Sequence, residues 1–274
     1  MKVLRRYRLN NKFEVKFVQG WLNCFEGTSL VVDGGYGPAT ERAVKTYQYK
    51  YGLVVDGICG PATQMHMGFR QTRNPKIVAL EIPFHKITKA EVLWKDGQPY
   101  NSARFAAESQ LDIIWNGAFF ERKTLEVVQL MMKSGVVGHW GMGYEGIAYP
   151  NLWSAPIGGS VFDFIGKPYD MQGSAPTLID NYITDNQSIA AFGSAMMGQV
   201  TRRNCTALTT KSIVLFFSIA NCTLYEMKDE GLFQRVLFMM GNDGGGSVFL
   251  RMGGADVLAT DGRSIPAAVG LKVR

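Results

Sequence analysis

The first seventy residues carry two stripes of apolar side chains at helical spacing. The first stripe is Val15, Val18, Leu22 and Phe25, and the second is Val44, Tyr47 and Tyr51. Intervals of three and four residues place such side chains on one face of a helix. Gly52 follows the second stripe in the position that glycine favours at a helix C-terminus. The pattern therefore predicts a small helical unit at this end of the chain.

An eight-residue motif occurs twice between and after these stripes. The sequence DGGYGPAT at residues 33–40 recurs as DGICGPAT at residues 56–63. Glycine tolerates the left-handed backbone of a turn, and proline is favoured in the first helical turn because its missing N–H would be unpaired there. Each copy therefore predicts a turn that starts a helix. We expect Asp33 and Asp56 to accept backbone N–H bonds in these turns, and Thr40 and Thr63 to pack or cap.

The stretch from residue 15 to residue 67 resembles the widespread three-helix peptidoglycan-binding module. The shared positions are Val15 with Gln19 and Leu22, VDG at 32–34, AV at 43–44 with Tyr47-Gln48, and VDG at 55–57. The resemblance implies a peptidoglycan-binding domain, which we place at residues 1–72. Trp21, Tyr36 and Tyr49 are the candidates for its glycan-contacting surface.

The pattern changes after residue 72. Breakers at Asn74-Pro75 and Ile82-Pro83 predict a linker over residues 73–86. Beyond it, short apolar runs at 113–115, 213–219, 248–252 and 267–273 predict strands, and residues 125–133 and 230–239 favour helices. Strands and helices are interspersed without regular βαβ spacing. We therefore predict an α+β protein, with a small three-helix domain followed by a larger mixed-sheet α+β domain at residues 87–274.

Composition and charge narrow the class of protein. The chain has 274 residues, 46% of them hydrophobic and 19% charged, with a formal charge of +6. It contains no apolar run long enough for a membrane span, and no apolar segment of a signal peptide follows its basic start. We therefore expect synthesis in the cytoplasm without a signal peptide and no stable membrane insertion. The basic first twelve residues are either a solvated end or a surface for an anionic polymer.

The cysteines and histidines do not indicate a disulfide scaffold or a metal site. A hairpin centred on Thr210-Lys211 would place Cys205 opposite a residue near Phe216 and Cys222 several residues beyond, which disfavours a bridge between the two thiols. We therefore expect reduced, buried cysteines. The three histidines are scattered along the chain. Because they lack the spacing of metal ligands, we expect no metal and no cofactor.

Five local segments in the second part carry candidate chemistry. They are NGAFF at 116–120, GSAPTLID at 173–180, RRNCTAL at 202–208, NDGGGS at 242–247, and Arg263 with the apolar run that follows it. Three glycines after an aspartate leave backbone N–H groups exposed and let a ligand approach the chain closely. No lysine follows at the spacing of a phosphate-binding P-loop, and the glycines do not have the spacing of a dinucleotide-binding turn.

In this order, the segments resemble those of the phosphodiester glycosidase family, which includes the enzyme that uncovers mannose 6-phosphate. The resemblance covers roughly residues 87–274. Three positions depart from the family pattern: Ala118 replaces a glycine, Asn204-Cys205 is inserted after the arginine, and Asn242 replaces a leucine. The insertion leaves either Arg202 or Arg203 as the motif arginine.

The resemblance implies hydrolysis of a sugar-1-phosphodiester at the anomeric carbon. Asp243 is then the catalytic carboxylate, Asn116 orients the sugar or the water, and Arg203 or Arg202 binds phosphate together with Arg263. The backbone donors implied by the same motif are Gly244, Gly245, Gly246 and Ser247. His139, Glu121 and Glu145 are further candidates for acid or base, and Phe119 or Phe120 for stacking on a sugar.

Together the two resemblances predict a cell-wall-targeted glycosidase. Its expected partners are bacterial peptidoglycan and the anionic polymers attached to it, rather than nucleic acid. A wall hydrolase made without a signal peptide is typical of a bacteriophage endolysin, which acts on the wall after release. The alternative from another class is a non-catalytic peptidoglycan-binding or structural wall protein whose glycosidase domain has degenerated.

Overall fold

The structure is a computed structural model that describes residues 1–95, 97–117, 119–127, 131–133, 136–139, 171–172, 177–186, 189–190 and 193–274. Its N-terminal part consists of three helices, α1 (Lys12–Glu26), α2 (Pro38–Lys50) and α3 (Pro61–His66). The two apolar stripes and the two Gly-Pro turns predicted these helices, and the prediction is confirmed. No helix in the described part of the chain combines the length and apolar character needed to span a membrane.

The repeated motif forms the same hydrogen-bond network in both copies. In the first copy, Gln19 Nε2 donates to Asp33 Oδ1 at 2.9 Å, to the Gly35 carbonyl at 3.0 Å and to Thr40 Oγ1 at 3.1 Å. Asp33 in turn accepts the Gly35 N–H at 2.7 Å. The side chains of the first motif therefore hold their own turn, as the sequence predicted.

The second copy repeats these contacts with nearly the same distances. Gln48 Nε2 donates to Asp56 Oδ1 at 2.9 Å, to the Ile58 carbonyl at 3.0 Å and to Thr63 Oγ1 at 3.1 Å. Its Oε1 accepts the Gly57 N–H at 2.8 Å. Each glutamine thus ties one helix to the turn that starts the next.

The rest of the described chain contains fifteen strands and three further helices. In chain order the strands are β1 (Phe69–Arg70), β2 (Ile77–Pro83), β3 (Ile87–Trp94), β4 (Ile113–Asn116), β5 (Met131–Lys133), β6 (Val136–His139), β7 (Met171–Gln172), β8 (Thr177–Asp180), β9 (Ile183–Thr184), β10 (Asn204–Leu208), β11 (Ser212–Ser218), β12 (Phe238–Gly241), β13 (Leu250–Met252), β14 (Ala255–Leu258) and β15 (Ala267–Val273). The helices are α4 (Ser102–Ser109), α5 (Ser194–Gly198) and α6 (Leu224–Phe233).

The strands form three sheets. The first has the order β1-β2-β11-β10-β12-β8-β9, the second β14-β13-β4-β15-β3, and the third β6-β5-β7. The α+β class is confirmed. All strand pairs within the described residues are antiparallel, where we had expected mixed sheets. The β10–β11 hairpin pairs Cys205 with Phe216, as its predicted turn required.

Residues 73–86 are not a linker. Strand β2 lies inside the first sheet between β1 and β11, and its register with β11 runs from Ile77 opposite Ser218 to Pro83 opposite Ser212. Proline lacks an N–H but is tolerated at a strand end, so Pro83 ends β2 rather than preventing it. The breakers therefore mark the limits of a buried strand.

The two helices predicted in the second part are also corrected. Val127 is buried and forms a bridge with Phe120, and β5 follows, so residues 125–133 contain no helix among those described. Helix α6 begins at Leu224, before the predicted start at residue 230, because Thr223 and Glu226 form a capping box at its N-terminus. Residues 238–239 belong to β12 instead. Short apolar runs do not distinguish strand from helix by periodicity alone.

The N-terminal helices pack directly on the second sheet. At the closest approach, α1 meets the β13–β14 turn, where the carbonyl of Gly20 lies 2.4 Å from the position that a Cβ on Gly253 would occupy. Asn23 Nδ2 also donates to the Gly253 carbonyl at 3.4 Å. One apolar cluster contains Phe17 of α1 together with Phe217 of β11 and Leu250 of β13. The three helices and the sheets therefore share a core.

Candidate functional site

The glycine-rich segment lies where β12 leaves the first sheet. Strand β12 ends at Gly241, and residues Gly245–Ser247 form a 3-10 turn. Asn116, at the end of β4, forms hydrogen bonds to the backbone on both sides of this segment. Its Nδ2 donates to the Asp243 carbonyl at 2.7 Å, and its Oδ1 accepts the Phe249 N–H at 2.9 Å. Asn204 Nδ2 donates to the same Oδ1 at 2.6 Å. Side-chain amides of two sheets thus fix the backbone on both sides of the turn.

This placement gives Asn116 a positioning role. Its side chain is 1% exposed and contacts Asp243 through the main chain. We had expected Asn116 to orient a sugar or a water molecule directly. Because both ends of its amide are committed to protein partners, the structure supports orientation of the Asp243 backbone instead.

Asp243 is a half-buried carboxylate with an unusual environment. Burial raises its pKa to about 6 from an ordinary 3.8, although hydrogen bonds from the Ser247 side chain and the Gly244 N–H, and the charges of Arg263 and Arg122, act in the opposite direction. The Gly244 N–H donates to Asp243 Oδ1 at 2.8 Å. A carboxyl with a pKa near 6 is a stronger base than an exposed one and still ionises at neutral pH. Gly244 and Ser247 thus both donate to the Asp243 carboxyl within one turn.

The two adjacent arginines have different surroundings. Arg203 is 1% exposed, and its Nη2 donates to the carbonyls of Met196 at 3.0 Å and Gln199 at 2.9 Å. Its Nη1 lies against the backbone of Gly244, at 3.0 Å from the position of an added Cβ. Arg202 is less buried and donates to the carbonyls of Ala259 at 2.8 Å and Val248 at 3.1 Å. Both guanidinium groups therefore support the loops around the glycine turn.

This arrangement departs from the phosphate-binding role that the resemblance implied for these arginines. Arg203 is 1% exposed and its Nη2 already donates to two carbonyl groups, so this guanidinium does not face solvent. Burial also lowers the pKa of both arginines. Both arginines contact the segment from Gly244 to Val248.

Arg263 is the predicted arginine that reaches the surface of the site. Its Nε donates to Asp261 Oδ1 at 2.8 Å, and its Nη2 donates to Asp261 Oδ2. This ion pair lies on the backbone of Gly246, where an added Cβ would be 1.9 Å from Asp261 Oδ2 and 2.4 Å from Arg263 Nη2. A side chain at position 246 would therefore displace the Asp261–Arg263 ion pair from this position.

A cleft of about 520 Å³ opens beside this ion pair. It is lined by Phe120, Arg122, Lys123, Leu125, Asp261, Arg263 and Ser264. Arg122 and Lys123 were missed by the sequence analysis, because they follow the NGAFF segment in an exposed turn with no pattern of their own. Their proximity to a second basic segment about 140 residues away could be found only in the folded chain. Charge-charge interactions place Arg122 near both Asp243 and Asp261.

Several of the remaining candidate site residues lie outside the described residues or away from the cleft. Ala118, Glu145 and residues 173–176 lie outside the described residues, and of His139 only the backbone in β6 is described. Glu121 is exposed in the turn that leads to the cleft. In the N-terminal domain, Trp21 and Tyr36 are buried at 2% and 7% exposure, whereas Tyr49 is 81% exposed. Of the three proposed glycan contacts, Tyr49 alone is fully accessible.

Comparisons with known proteins found one matching protein family and several similar solved structures. Residues 12–67 match the family described as "Putative peptidoglycan binding domain", so the N-terminal part is a peptidoglycan-binding domain. The chain is also similar to a solved catalytic domain of zebrafish N-acetylglucosamine-1-phosphodiester alpha-N-acetylglucosaminidase, auto-inhibited by its pro-peptide. That likeness has a TM-score of 0.53 and 12% identity, over 74% of this chain and 86% of that chain.

A second solved structure, a hypothetical protein from Synechocystis, has a TM-score of 0.55 and 14% identity. The match covers 75% of this chain and 61% of that one. No curated protein sequence matches the chain. At these identities the likeness shows a fold shared with those two solved structures and nothing further. The resemblance inferred from the sequence motifs is thereby confirmed at the level of the fold.

Proposed function

We propose that the protein is a cell-wall-targeted glycosidase that hydrolyses a sugar-1-phosphodiester or a related amino-sugar linkage in bacterial wall polymers. The position of Asp243 carries this proposal. It is a half-buried carboxylate held by a glycine turn, and a cleft lined by cationic side chains adjoins it. A glycosidase needs a carboxylate near the anomeric carbon, and an anionic leaving group needs cations.

In the proposed reaction, the oxygen of a water molecule bonds to the anomeric carbon while the bond from that carbon to the phosphate oxygen breaks. The electron pair of the broken bond leaves with the phosphate oxygen. The water loses a proton to the Asp243 carboxylate, which passes it to solvent. Because a phosphodiester is a good leaving group, protonation of the departing oxygen contributes little, and Asp243 acts chiefly as base.

The N-terminal domain supplies the proposed targeting. Since the peptidoglycan-binding domain shares a core with the sheet that carries Asn116, binding to the wall would hold the site at a fixed distance from the polymer. We propose peptidoglycan and its attached anionic polymers as partners. In this proposal the protein is made in the cytoplasm and acts on the wall after release, as an endolysin does.

A second candidate function is a non-catalytic wall-binding protein. The observation that favours it is the burial of Asn116 and Arg203, two residues to which the resemblance gave direct roles in the reaction. In that case, the same fold would persist because these residues stabilise it.

Hydrolysis of purified walls distinguishes the two candidates. We expect the protein to release phosphate-bearing sugar fragments, detected by mass spectrometry, from walls that retain their anionic polymers. Asp243→Asn should reduce the rate of wall hydrolysis by about 10²–10⁴-fold. The amount of protein that sediments together with the walls should stay unchanged. Asp229→Asn, in an exposed ion pair on α6, is the matched control and should retain full activity. An Asp243→Asn variant that folds and hydrolyses at the parent rate would exclude this mechanism.

A further inference from the structure

The cleft beside the glycine turn combines side chains from two turns that are distant in sequence. Arg122 and Lys123 belong to the turn after β4, and Arg263 belongs to the turn between β14 and β15. Asp261 is the one acidic side chain among the lining residues. With three cations and one carboxylate, the cleft carries a net positive charge and favours an anionic ligand.

The cations of the cleft differ in what they already bind. Arg263 holds the Asp261 carboxylate through Nε and Nη2, which is the bidentate geometry that a guanidinium also offers to phosphate. Within the described residues, no hydrogen bond or ion pair engages the side chains of Arg122 and Lys123, and both are exposed. Arg122 and Lys123 are exposed at the cleft, whereas Arg263 is occupied by an internal anion.

The Asp261–Arg263 ion pair also lies against the turn that follows Asp243. It rests on Gly246, in the same turn whose Gly244 and Ser247 bind the Asp243 carboxyl. The hydrogen bond from Arg263 and the charges of Arg263 and Arg122 lower the pKa of Asp261. At Asp243 the same two charges oppose the larger rise in pKa that burial causes. A phosphoryl group in the cleft would thus lie next to Asp243.

We propose that this cleft binds a phosphoryl group through Arg122, Lys123 and Arg263, and that the Asp261 carboxylate occupies the Arg263 position until the phosphoryl group displaces it. This inference deepens the proposed function by naming the residues that hold the phosphate of the substrate, and in that sense it rests on it. Asp261 then sets specificity, because a neutral sugar cannot exchange with a carboxylate on Arg263. The site thereby favours substrates that carry phosphate.

Titration of the full chain with inorganic phosphate at low ionic strength, followed by calorimetry, tests the exchange. Asp261→Asn keeps Oδ1, which accepts the Arg263 N–H, and removes the negative charge. In the parent, the Asp261 carboxylate competes with phosphate for Arg263, but an exposed ion pair is weak. Removing this competition should therefore tighten phosphate binding by about 2- to 10-fold. Asp256→Asn, which makes the same change in the Arg251–Asp256 ion pair outside the cleft, should leave phosphate affinity unchanged.

The cations are tested in the same titration. Arg122→Ala and Lys123→Ala should each weaken phosphate binding by about 5-fold or more, since each removes a charge-assisted donor. Lys211→Ala, in the exposed turn of the β10–β11 hairpin, should have no effect. Melting temperatures of all variants establish that they are folded. Asp261→Ser, which removes both carboxylate oxygens, should act in the same direction as Asp261→Asn.

Three outcomes would overturn the proposal. The first is the absence of phosphate binding in both the parent and Asp261→Asn. The second is an unchanged or weaker phosphate affinity in a folded Asp261→Asn variant. The third is an equal loss of phosphate affinity in Lys211→Ala and Arg122→Ala. Wall hydrolysis distinguishes this failure from that of the proposed function. Phosphate binding without hydrolysis would contradict the enzymatic proposal alone, and hydrolysis without phosphate binding would contradict the cleft alone.

Discussion

At Asp243, burial and hydrogen bonding act on the carboxyl pKa in opposite directions, and burial has the larger effect. A carboxyl group whose pKa is raised by folding favours the folded state in its protonated form. Its contribution to the free energy of unfolding is therefore fully present below the ordinary pKa of 3.8 and is lost as the pH rises through about 6. At neutral pH the ionised Asp243 therefore lowers the free energy of unfolding, although the proposed reaction needs its negative charge.

We predict that Asp243→Asn stabilises the fold at neutral pH. The neutral amide avoids the cost of burying a charge and keeps an oxygen for the Gly244 N–H, so the free energy of unfolding should rise by about 1–3 kcal/mol at pH 7.5. The gain should shrink towards pH 4, where the parent carboxyl is protonated. Urea unfolding of both proteins at the two pH values measures this, and a variant that is less stable at pH 7.5 would contradict the assigned cause.

The same pKa predicts the pH dependence of hydrolysis. If the ionised carboxylate is the base, kcat/KM should fall as the pH drops through about 6 and level off above it. A rate profile from pH 4.5 to 8.5 measures this limb. A rate that increases as the pH falls below 6 would mean that protonated Asp243 acts as an acid instead.

Arg203 contributes to stability through its buried contacts. We predict that Arg203→Met lowers the free energy of unfolding by about 2–4 kcal/mol, because the carbonyls of Met196 and Gln199 lose their donor. Arg42→Met, at an exposed position on α2, should change it by less than about 0.5 kcal/mol. Chemical denaturation provides the values. Equal stability of the two variants would show that Arg203 is not a structural support.

At the scale of elements, the three N-terminal helices depend on the two glutamine networks. Each glutamine donates from one Nε2 to three oxygen atoms in the following turn, so that a single side chain sets the angle between two helices. We predict that Gln48→Glu, which replaces this donor by an acceptor, lowers the free energy of unfolding by about 2–5 kcal/mol. Gln71→Glu, at an exposed position, is the isosteric control and should have little effect. Thermal unfolding distinguishes them.

The contact between α1 and the β13–β14 turn provides a second prediction at this scale. Gly253 and Gly254 both have positive φ, at 60° and 83°, but a Cβ on Gly253 would meet Gly20 and Asn23, whereas one on Gly254 meets nothing within 4 Å. Both alanine variants carry the backbone strain of about 1–2 kcal/mol. Gly253→Ala should cost a further 1–3 kcal/mol or so for overpacking against α1. Equal losses in denaturant titrations would mean that α1 does not pack closely in solution.

For the whole molecule, the shared core predicts cooperative unfolding. Phe17 of α1 packs against Phe69 and Phe217 of the first sheet, with ring centroids 6.4 Å and 6.2 Å apart. Separating the domains would expose this apolar surface to water. We therefore expect a single calorimetric transition for the full chain, with the fragment 1–72 less stable than the same residues in the intact protein. Two resolved transitions would indicate instead that residues 1–72 unfold independently of the rest of the chain.

The sequence by itself determined the features that depend on neighbouring residues. Helical spacing, Gly-Pro turns and the repeated motif predicted three helices. Short apolar runs predicted β11 and β15, and a turn at Thr210-Lys211 predicted the register of the β10–β11 hairpin. These features follow from backbone preferences and from burial of one face, both of which are local. The order of the glycine-rich and arginine motifs likewise predicted the fold of the second part of the chain.

Only the tertiary structure decided which side chains line the site. Arg202 and Arg203 are adjacent in sequence, yet both are committed to carbonyl groups, and it is Arg122 and Lys123 that reach the cleft with Arg263. The sequence predicted a linker around β2 because Pro75 and Pro83 are local breaker signals. The pairing of β2 with β11 joins segments about 130 residues apart. The physical reason is the same in both cases: burial and charge pairing depend on neighbours in space, which a local pattern does not contain.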